Sequence, residues 1–312
     1  MTQPLFSIVV CTYNRADLLP ACLGSLVDQI LDKSLYRVIV VNNNSTDSTA
    51  DVVNMFIKSQ PNFSMVIETR QGIANARNRG WQTAQSLYVG YIDDDCKSPT
   101  HWLALAHEIV ATRAPVVFGG SSFAYYMSPK PAWYKDSYID HDFGKDSRPL
   151  NDNEYFESMN MFIRRSVFEK VGGFDAELGI RGKKIAYGEE TVFLQRVRET
   201  MPQELIYYHH DLYVYHTVRP ERMKIGWLAR SSFSGGCYSY RVFRNHTLLS
   251  PFNLFKNFLR AAYYFLLDLL RAFFARDRAQ YPYAQNYIYE RAFQHLRSLG
   301  ELYEQYTQLS KR

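Results

Sequence analysis

The 312-residue chain lacks several features that would assign it to a specialised class of protein. It has no uncharged apolar run of about 18 residues, the length that crosses a bilayer as a helix. No charged segment followed by an apolar core stands at its N-terminus, so we expect no signal peptide. Its four cysteines have no metal-site spacing, which favours reduced thiols in a cytoplasmic protein. Dense runs of lysine and arginine are missing, and a net charge of +5 does not indicate a nucleic-acid partner.

Apolar residues are plentiful, and they alternate between two periodicities in the N-terminal part of the chain. Segments of helical spacing separate short runs that are typical of buried strands, at 5–11, 36–41, 63–68 and 88–93. This alternation predicts an α/β fold with a mostly parallel central sheet and helices on both faces. Ligands of such sheets bind at the carboxyl ends of the strands. We therefore expect three polar segments to meet at that edge: 12–15, 42–47 and 93–95.

The last of these segments, Asp93-Asp94-Asp95, has the most distinctive chemistry. Side chains alternate faces along an extended chain, so Asp93 and Asp95 can point to the same side. Two carboxylates at a strand tip repel each other, and Mg²⁺ or Mn²⁺ relieves that repulsion while leaving room for substrate phosphates. An acidic turn without a ligand is an equally good interpretation of these three residues alone.

Three features of the following segment also have alternative interpretations. Residues 121–152 lack periodicity, which is typical of a lid or binding loop. Glu189 and Glu190 open a helix, where the helix dipole alone favours acidic side chains. His216 ends an extended stretch beside two arginines whose geometry suits phosphate, Arg219 and Arg222. A structural histidine and surface arginines are the alternatives.

Six segments of the chain, in the same order, resemble family 2 glycosyltransferases with the GT-A fold. They are residues 7–15, 40–47, 72–80, 93–95, 171–175 and 188–190. The resemblance implies an inverting transfer of a sugar from a nucleoside diphosphate donor. The acceptor would be a hydroxyl of a glycan or of a lipid-linked saccharide.

The resemblance also implies roles for individual residues. Glu190 matches the catalytic base. Asp95 matches the metal ligand for Mn²⁺ or Mg²⁺, and the resemblance implies that Asp93 and His216 would also lie near that ion. The donor-binding residues that the resemblance implies are Thr12, Tyr13, Asn14, Arg15, Asn42, Asn43, Arg77, Asp93 and Asp94.

Asn42 departs from the family pattern, which usually has an aspartate at this position. An aspartate accepts a hydrogen bond from the ring N–H of the nucleobase, whereas an asparagine can accept and also donate. Uracil is the favoured base, and thymine and guanine stay open.

The resemblance further predicts the domain organisation. A GT-A domain over 1–220 would have a nucleotide-sugar half at 1–97 and an acceptor half at 98–220, followed by a helical region over 221–312. Two other functions stay open: a nucleotide-sugar-binding protein without catalysis, and a nucleotidyltransferase on a related fold. Intact Asp93, Asp95 and Glu190 argue against the first, and the absence of glycines from 12–15 argues against the second.

The stretch 251–276 is unusual for a different reason. Its spacing predicts one helix whose apolar face is too wide for an ordinary surface helix. Four charged residues argue against crossing a bilayer: Lys256, Arg260, Asp268 and Arg271. Two interpretations stay open. The helix packs on the catalytic domain or on a second subunit in a homodimer, or it lies on the cytoplasmic face of the inner membrane with its basic side toward anionic head groups.

Overall fold

The computed structural model describes residues 3–180, 187–243 and 249–310. These residues form two compact units. The larger unit comprises 3–125, 139–180 and 189–217, and the smaller unit comprises 126–138, 187–188, 218–243 and 249–310. The division of 1–220 into a donor half and an acceptor half stays a prediction.

The larger unit begins with alternating strands and helices. They are β1 Phe6–Thr12, α1 Leu19–Val27, β2 Tyr36–Asn42, α2 Thr49–Ser59, β3 Phe63–Ile67, α3 Ile73–Thr83 and β4 Tyr88–Asp93. β1 pairs in parallel with β2 and β4, and β2 pairs in parallel with β3. β1 is buried along its whole length, as expected for a run of apolar residues in a sheet that is covered on both faces.

The elements that follow complete the sheet. They are β5 Cys96–Lys97, α4 Trp102–Arg113, β6 Val117–Gly119, β7 Ser122–Tyr126, β8 Arg148–Pro149, β9 Met161–Arg164, α5 Arg165–Val171, α6 Glu189–Thr200, β10 Ile206–Tyr208 and β11 Val214–Val218. Within the described residues, eight strands form one sheet in the order β3-β2-β1-β4-β9-β6-β10-β8, and β5-β11-β7 form another. Only β9 and β8 run antiparallel to their neighbours in the large sheet, so the predicted mostly parallel α/β fold is confirmed.

The core of the larger unit lies on both faces of the large sheet. Successive residues of β1 point to opposite sides, so Ile8 and Val10 join one buried cluster and Val9 joins the other. α3 packs closely on Val9 at Gly80, where a Cβ atom would collide with both methyl groups of the valine. This close contact fixes the position of α3, which carries Arg77, on the sheet.

The smaller unit contains α7 Ile225–Val242, α8 Pro251–Phe274, α9 Ala284–Tyr287 and α10 Phe293–Leu309, with a π-helical turn at Ile288–Ala292. This arrangement confirms the predicted helical C-terminal region. α7 and α10 approach closely at Gly236 and Gly300, where a Cβ atom on either glycine would overlap the backbone of the opposite helix. Among the described helices, none has both the length and the hydrophobicity that crossing a membrane requires.

Candidate active site

Three polar segments leave the large sheet at its carboxyl edge. The parallel register places Thr12 opposite Asn42 on the neighbouring strand, and Cys11 opposite Asp93 on the other side. Segments 12–15, 42–47 and 93–95 therefore begin side by side, where the strand pattern predicts that they meet. The carboxyl edge therefore brings together the polar side chains of three separate segments of the larger unit.

The segments that follow β1 and β2 are joined by hydrogen bonds. The N–H of Asn14 donates to Ser45 Oγ at 3.0 Å, and the N–H of Thr46 donates to Asn14 Oδ1 at 2.8 Å. Asn14 has a φ of 52°, a left-handed conformation that asparagine tolerates because its short polar side chain can bond locally. Asn14 thus shapes the loop, while the neighbouring Tyr13 ring is exposed beside it.

The two asparagines at the end of β2 have different roles. Asn43 donates to the carbonyls of Glu68 and Arg70, both at 2.8 Å, and accepts from the N–H of Gly72 at 2.9 Å. Its amide holds the backbone between β3 and α3, so Asn43 positions the edge and has little capacity left for a ligand. Asn42 accepts from the N–H of Ser45 at 2.9 Å, and no acceptor for its Nδ2 group occurs among the described residues.

Arg77 is the buried centre of the edge. One guanidinium nitrogen forms an ion pair with Glu189 at the start of α6, and another lies 3.4 Å from Asp93 Oδ1. Burial alone would lower the pKa of Arg77, but the charges of Glu189 and Asp93 more than offset this effect and raise it. Arg77 therefore remains a cation, and its charge is largely balanced by carboxylates of the protein itself. These ion pairs link α3 to β4 and to α6.

The three aspartates after β4 have different partners. Asp93 lies beside Arg77, Asp94 Oδ1 lies 3.8 Å from Arg15 Nε, and Asp95 Oδ1 lies 3.6 Å from His216 Nε2. Burial raises the pKa of Asp93, and burial together with the charge of Asp95 raises the pKa of Asp94 to about 8. These carboxylates repel each other because they are crowded together, and a bound cation would relieve this repulsion.

The small sheet positions His216 at this site, because β11 carries this residue. It stands opposite Cys96 in the antiparallel pair of β11 and β5, and the N–H of Thr217 donates to the Asp95 carbonyl at 2.8 Å. Carboxylate oxygens and an imidazole nitrogen form a donor set that suits Mn²⁺, and the carboxylates also suit Mg²⁺. Asp95 and His216 are thus brought together, whereas Asp93 is turned toward Arg77.

The described residues contain a tighter group of metal-type ligands elsewhere. The ligand atoms of His209, His210 and Asp211, after β10, all lie within 4.8 Å of one another. His210 already has two partners, because its Nε2 lies 3.1 Å from Asp211 and its Nδ1 lies 2.9 Å from Ser147 Oγ. The sequence predictions did not include this group.

Two adjacent glutamates at the start of α6 have unlike environments. Glu189 pairs with Arg77, and Gly179 (φ 82°) comes so near that a Cβ atom there would stand 2.9 Å from the Glu189 carboxylate. Glu190 Oε2 is buried, and among the described residues it has no hydrogen-bond partner. Burial, and then the charge of Glu189, raise the pKa of Glu190 well above its ordinary value. A carboxylate of this kind is suited to accept a proton.

Sequence reasoning missed the part that Glu189 plays. A buried arginine needs a carboxylate partner, because an unpaired buried charge is strongly destabilising. That rule predicts a partner for Arg77 only if its burial is known, and no local pattern shows which of the acidic residues it is. The ion pair joins residues 112 positions apart.

The order of strands and the polar edge define a GT-A type of α/β fold, and solved structures agree. A mannosyltransferase, PcManGT from Pyrobaculum calidifontis in complex with GDP-Man and Mn²⁺, aligns with a TM-score of 0.64 at 19% identity, over 97% of this chain and 88% of that one. The S. aureus TarS 1-349 structure in complex with UDP aligns with a TM-score of 0.56 at 17% identity, over 96% of this chain and 91% of that one. These likenesses concern the fold.

The family follows from the sequence comparison. The profile described as glycosyl transferase family 2 matches residues 7–172, and the chain belongs to that family. Glycosyltransferase AglE of Haloferax volcanii is 30% identical over 179 residues, 57% of this chain and 58% of AglE, so the chain matches little more than half of that relative. The glucosyl-dolichyl phosphate glucuronosyltransferase of the same organism is 26% identical over 252 residues, 76% of each protein. Membership confirms the resemblance and the predicted enzyme class, a glycosyltransferase.

Proposed function

We propose that the protein transfers a sugar from a nucleoside diphosphate donor to an acceptor hydroxyl, with inversion at the anomeric carbon. The observation that carries the proposal is the position of Glu190 on α6, whose first turn is tied through Glu189 and Arg77 to Asp93. A free carboxylate oxygen is thus held in the same network as the aspartates of the edge. The structures of TarS with UDP and of PcManGT with GDP-Man support a nucleotide-sugar donor for this fold.

The donor nucleoside would lie against Thr12, Tyr13 and Asn14 at the end of β1. Asn42 would face the base and donate from its Nδ2 group to a ring carbonyl, since its Oδ1 already accepts from Ser45. Uracil has such carbonyls, and a UDP-sugar is the donor that we propose. Arg15 keeps a partly exposed guanidinium near Asp94, where it can bind the diphosphate.

The site fits a divalent metal ion. Asp95 and His216, with Asp93 nearby, would hold Mn²⁺ or Mg²⁺, and the bound ion would neutralise charge that develops on the leaving diphosphate. Arg77 is poorly placed to do so alone, because its charge already serves Glu189 and Asp93. A metal requirement is therefore part of the proposal.

Glu190 is the proposed base. Its carboxylate takes the proton of the acceptor hydroxyl while the hydroxyl oxygen forms a bond to the anomeric carbon. The bond from that carbon to the diphosphate breaks on the opposite side, and its electron pair leaves with the nucleoside diphosphate. One displacement inverts the configuration. The acceptor that we propose is a glycan or a lipid-linked saccharide, and the name of the dolichyl phosphate relative supports the latter.

The test is donor turnover with a panel of UDP-, TDP- and GDP-sugars in Mn²⁺, Mg²⁺ or EDTA. We expect a nucleoside diphosphate product in the presence of metal, and slow release of this product in EDTA. In Asp95→Ala, metal should no longer stimulate turnover of the donor. Asp51→Ala, a change at an exposed acidic position on α2, is the control and should behave as wild type. Pyrophosphate as product would instead indicate a nucleotidyltransferase, and metal-dependent binding without any turnover would indicate a binding protein.

A further inference from the structure

The outward side of α8 is apolar. Its large exposed side chains, apart from Tyr264, whose ring stacks on His295 of α10, have fractional exposures from 46% to 86%. They are Phe252, Phe255, Phe258, Leu259, Tyr263, Leu266, Leu270, Phe273 and Phe274. We call this set the outer face of α8. A contiguous exposed face of aromatic and leucine side chains is uncommon on soluble proteins and marks an interaction surface.

The inward side of α8 already has its partners. Leu254, Ala261 and Ala272 are buried, and α8 packs on α10 and on the π-helical turn of the same unit. Small residues permit this close packing. The smaller unit thus uses one narrow side of the helix, and the outer face is not part of its core.

The polar residues of α8 are distributed in a particular way. Asp268, the one acidic residue in the helix sequence, is turned inward, where it lies 3.2 Å from Arg271 Nη1 and accepts from the hydroxyl of Tyr287 at 3.2 Å. The exposed charged residues are basic: Lys256, Arg260 and Arg271, of which Arg271 pairs with Asp268. At 100° per residue they fall along one border of the outer face. The exposed side of α8 is therefore apolar with a cationic border and no anion.

We propose that the outer face of α8 docks on a lipid bilayer with anionic head groups. The helix would lie in the plane of the interface, with its aromatic and leucine side chains among the acyl chains and Lys256 and Arg260 at the head groups. The 24 residues of α8 give a face of about 36 Å. This surface does not depend on the transfer reaction proposed above.

Charge decides between a membrane and a second copy of the chain. In an antiparallel pair of α8 helices related by a twofold axis, the border with Lys256 and Arg260 would face the same border of its partner. The outer face has no acidic residue to compensate this repulsion. An anionic bilayer satisfies both the apolar surface and the basic border.

The experiment is co-sedimentation of the full chain with vesicles of phosphatidylcholine alone or mixed with phosphatidylglycerol. The test variant carries Leu259→Gln, Leu266→Gln and Leu270→Gln, which keep good helix formers at exposed positions. The matched control carries Ile30→Gln, Met55→Gln and Leu87→Gln. These three side chains lie in the larger unit and are at least half exposed, as the three leucines are.

We expect wild type and the control to bind the anionic vesicles equally, and the test variant to bind about tenfold more weakly or worse. The double variant Lys256→Gln/Arg260→Gln should lose the salt-sensitive part of binding, whereas Arg37→Gln/Lys58→Gln, two other exposed basic positions, should keep it. These charge variants serve as the independent measurement if the leucine variant folds poorly.

Three results would overturn the proposal. One is wild-type protein that stays in the supernatant with anionic vesicles, and another is a control that loses as much binding as the test variant. The third is a wild-type dimer in sedimentation velocity that becomes a monomer in the leucine variant, without lipid binding by either. That result would make the outer face a contact between copies.

Discussion

The carboxyl edge of the sheet and the outer face of α8 depart from ordinary burial in opposite directions. At the edge, charged side chains lie inside the protein, including Arg77, Asp95 and Glu189. On α8, aromatic and leucine side chains lie outside. Such departures carry more information than the ordinary burial of apolar residues. Most charges of the edge have partners within the chain, whereas the outer face has its proposed partner outside it. Substitutions at the edge should therefore change catalysis and stability, and substitutions on the outer face should change only binding.

The largest effect is expected at Glu190. Glu190→Gln keeps the shape of the side chain but removes its basicity, and we expect kcat to fall by about 10²–10⁴-fold with donor affinity retained. Turnover assays and calorimetry with a nucleoside diphosphate measure the two quantities. Glu199→Gln, at the exposed end of the same helix, is the control. Turnover close to wild type in Glu190→Gln would place the base elsewhere, with Glu189 and Asp175 as the next candidates.

The next effect is on stability. Arg77→Met leaves the buried carboxylate of Glu189 without its cation, and removing one partner of a buried ion pair costs about 3–5 kcal/mol. Arg79→Met, at an exposed position two residues further along α3, should change the free energy of unfolding by about 0.5 kcal/mol at most. Urea unfolding of both variants measures the difference. Equal stabilities would show that the edge does not depend on this ion pair.

The same contrast explains what sequence could predict. The strands near 5–11, 36–41 and 88–93 were predictable because burial on both faces requires uninterrupted apolar runs, and their order implied a shared edge. The pairing of Arg77 with Glu189 was not predictable, because it is set by tertiary packing and not by periodicity. The expected loop at 121–152 contains the short strands β7 and β8. These strands are too short for an alternation of apolar and polar residues to be detected in the sequence.

The face that α8 would turn inward was also hidden in its sequence. A polar stripe on a helix ordinarily faces water, yet Asp268 belongs to the buried side. Its partners Tyr287 and His295 lie on later helical segments, and their positions follow only from the packing of α8 on them. The helical periodicity of the sequence predicts α8 itself, whereas its contacts with later helices determine which side of α8 faces inward.

A smaller effect concerns the pH dependence of catalysis. The charge of Glu189 contributes to the raised pKa of Glu190, and Arg77 opposes it. Glu189→Gln removes the negative charge and leaves that of Arg77, so the pKa of Glu190 should fall. Because the base acts when deprotonated, the acidic limb of kcat/KM should move to lower pH. Glu199→Gln should leave the acidic limb unchanged. An unchanged acidic limb in Glu189→Gln would show that the charge of Glu189 does not influence Glu190 as the base.

The smallest expected effect tests the other half of the comparison. Without lipid, the variant with Leu259→Gln, Leu266→Gln and Leu270→Gln should keep its free energy of unfolding within about 0.5 kcal/mol per site, because these side chains already contact water and glutamine preserves helix propensity. Ala272→Leu, on the buried side of the same helix, should lose about 1–3 kcal/mol through overpacking. Urea unfolding followed by circular dichroism compares them. If the glutamine variant lost clearly more than about 1.5 kcal/mol in total, the sum allowed for three exposed sites, the leucines would have partners inside the protein, and the outer face could not be the surface that an external partner covers.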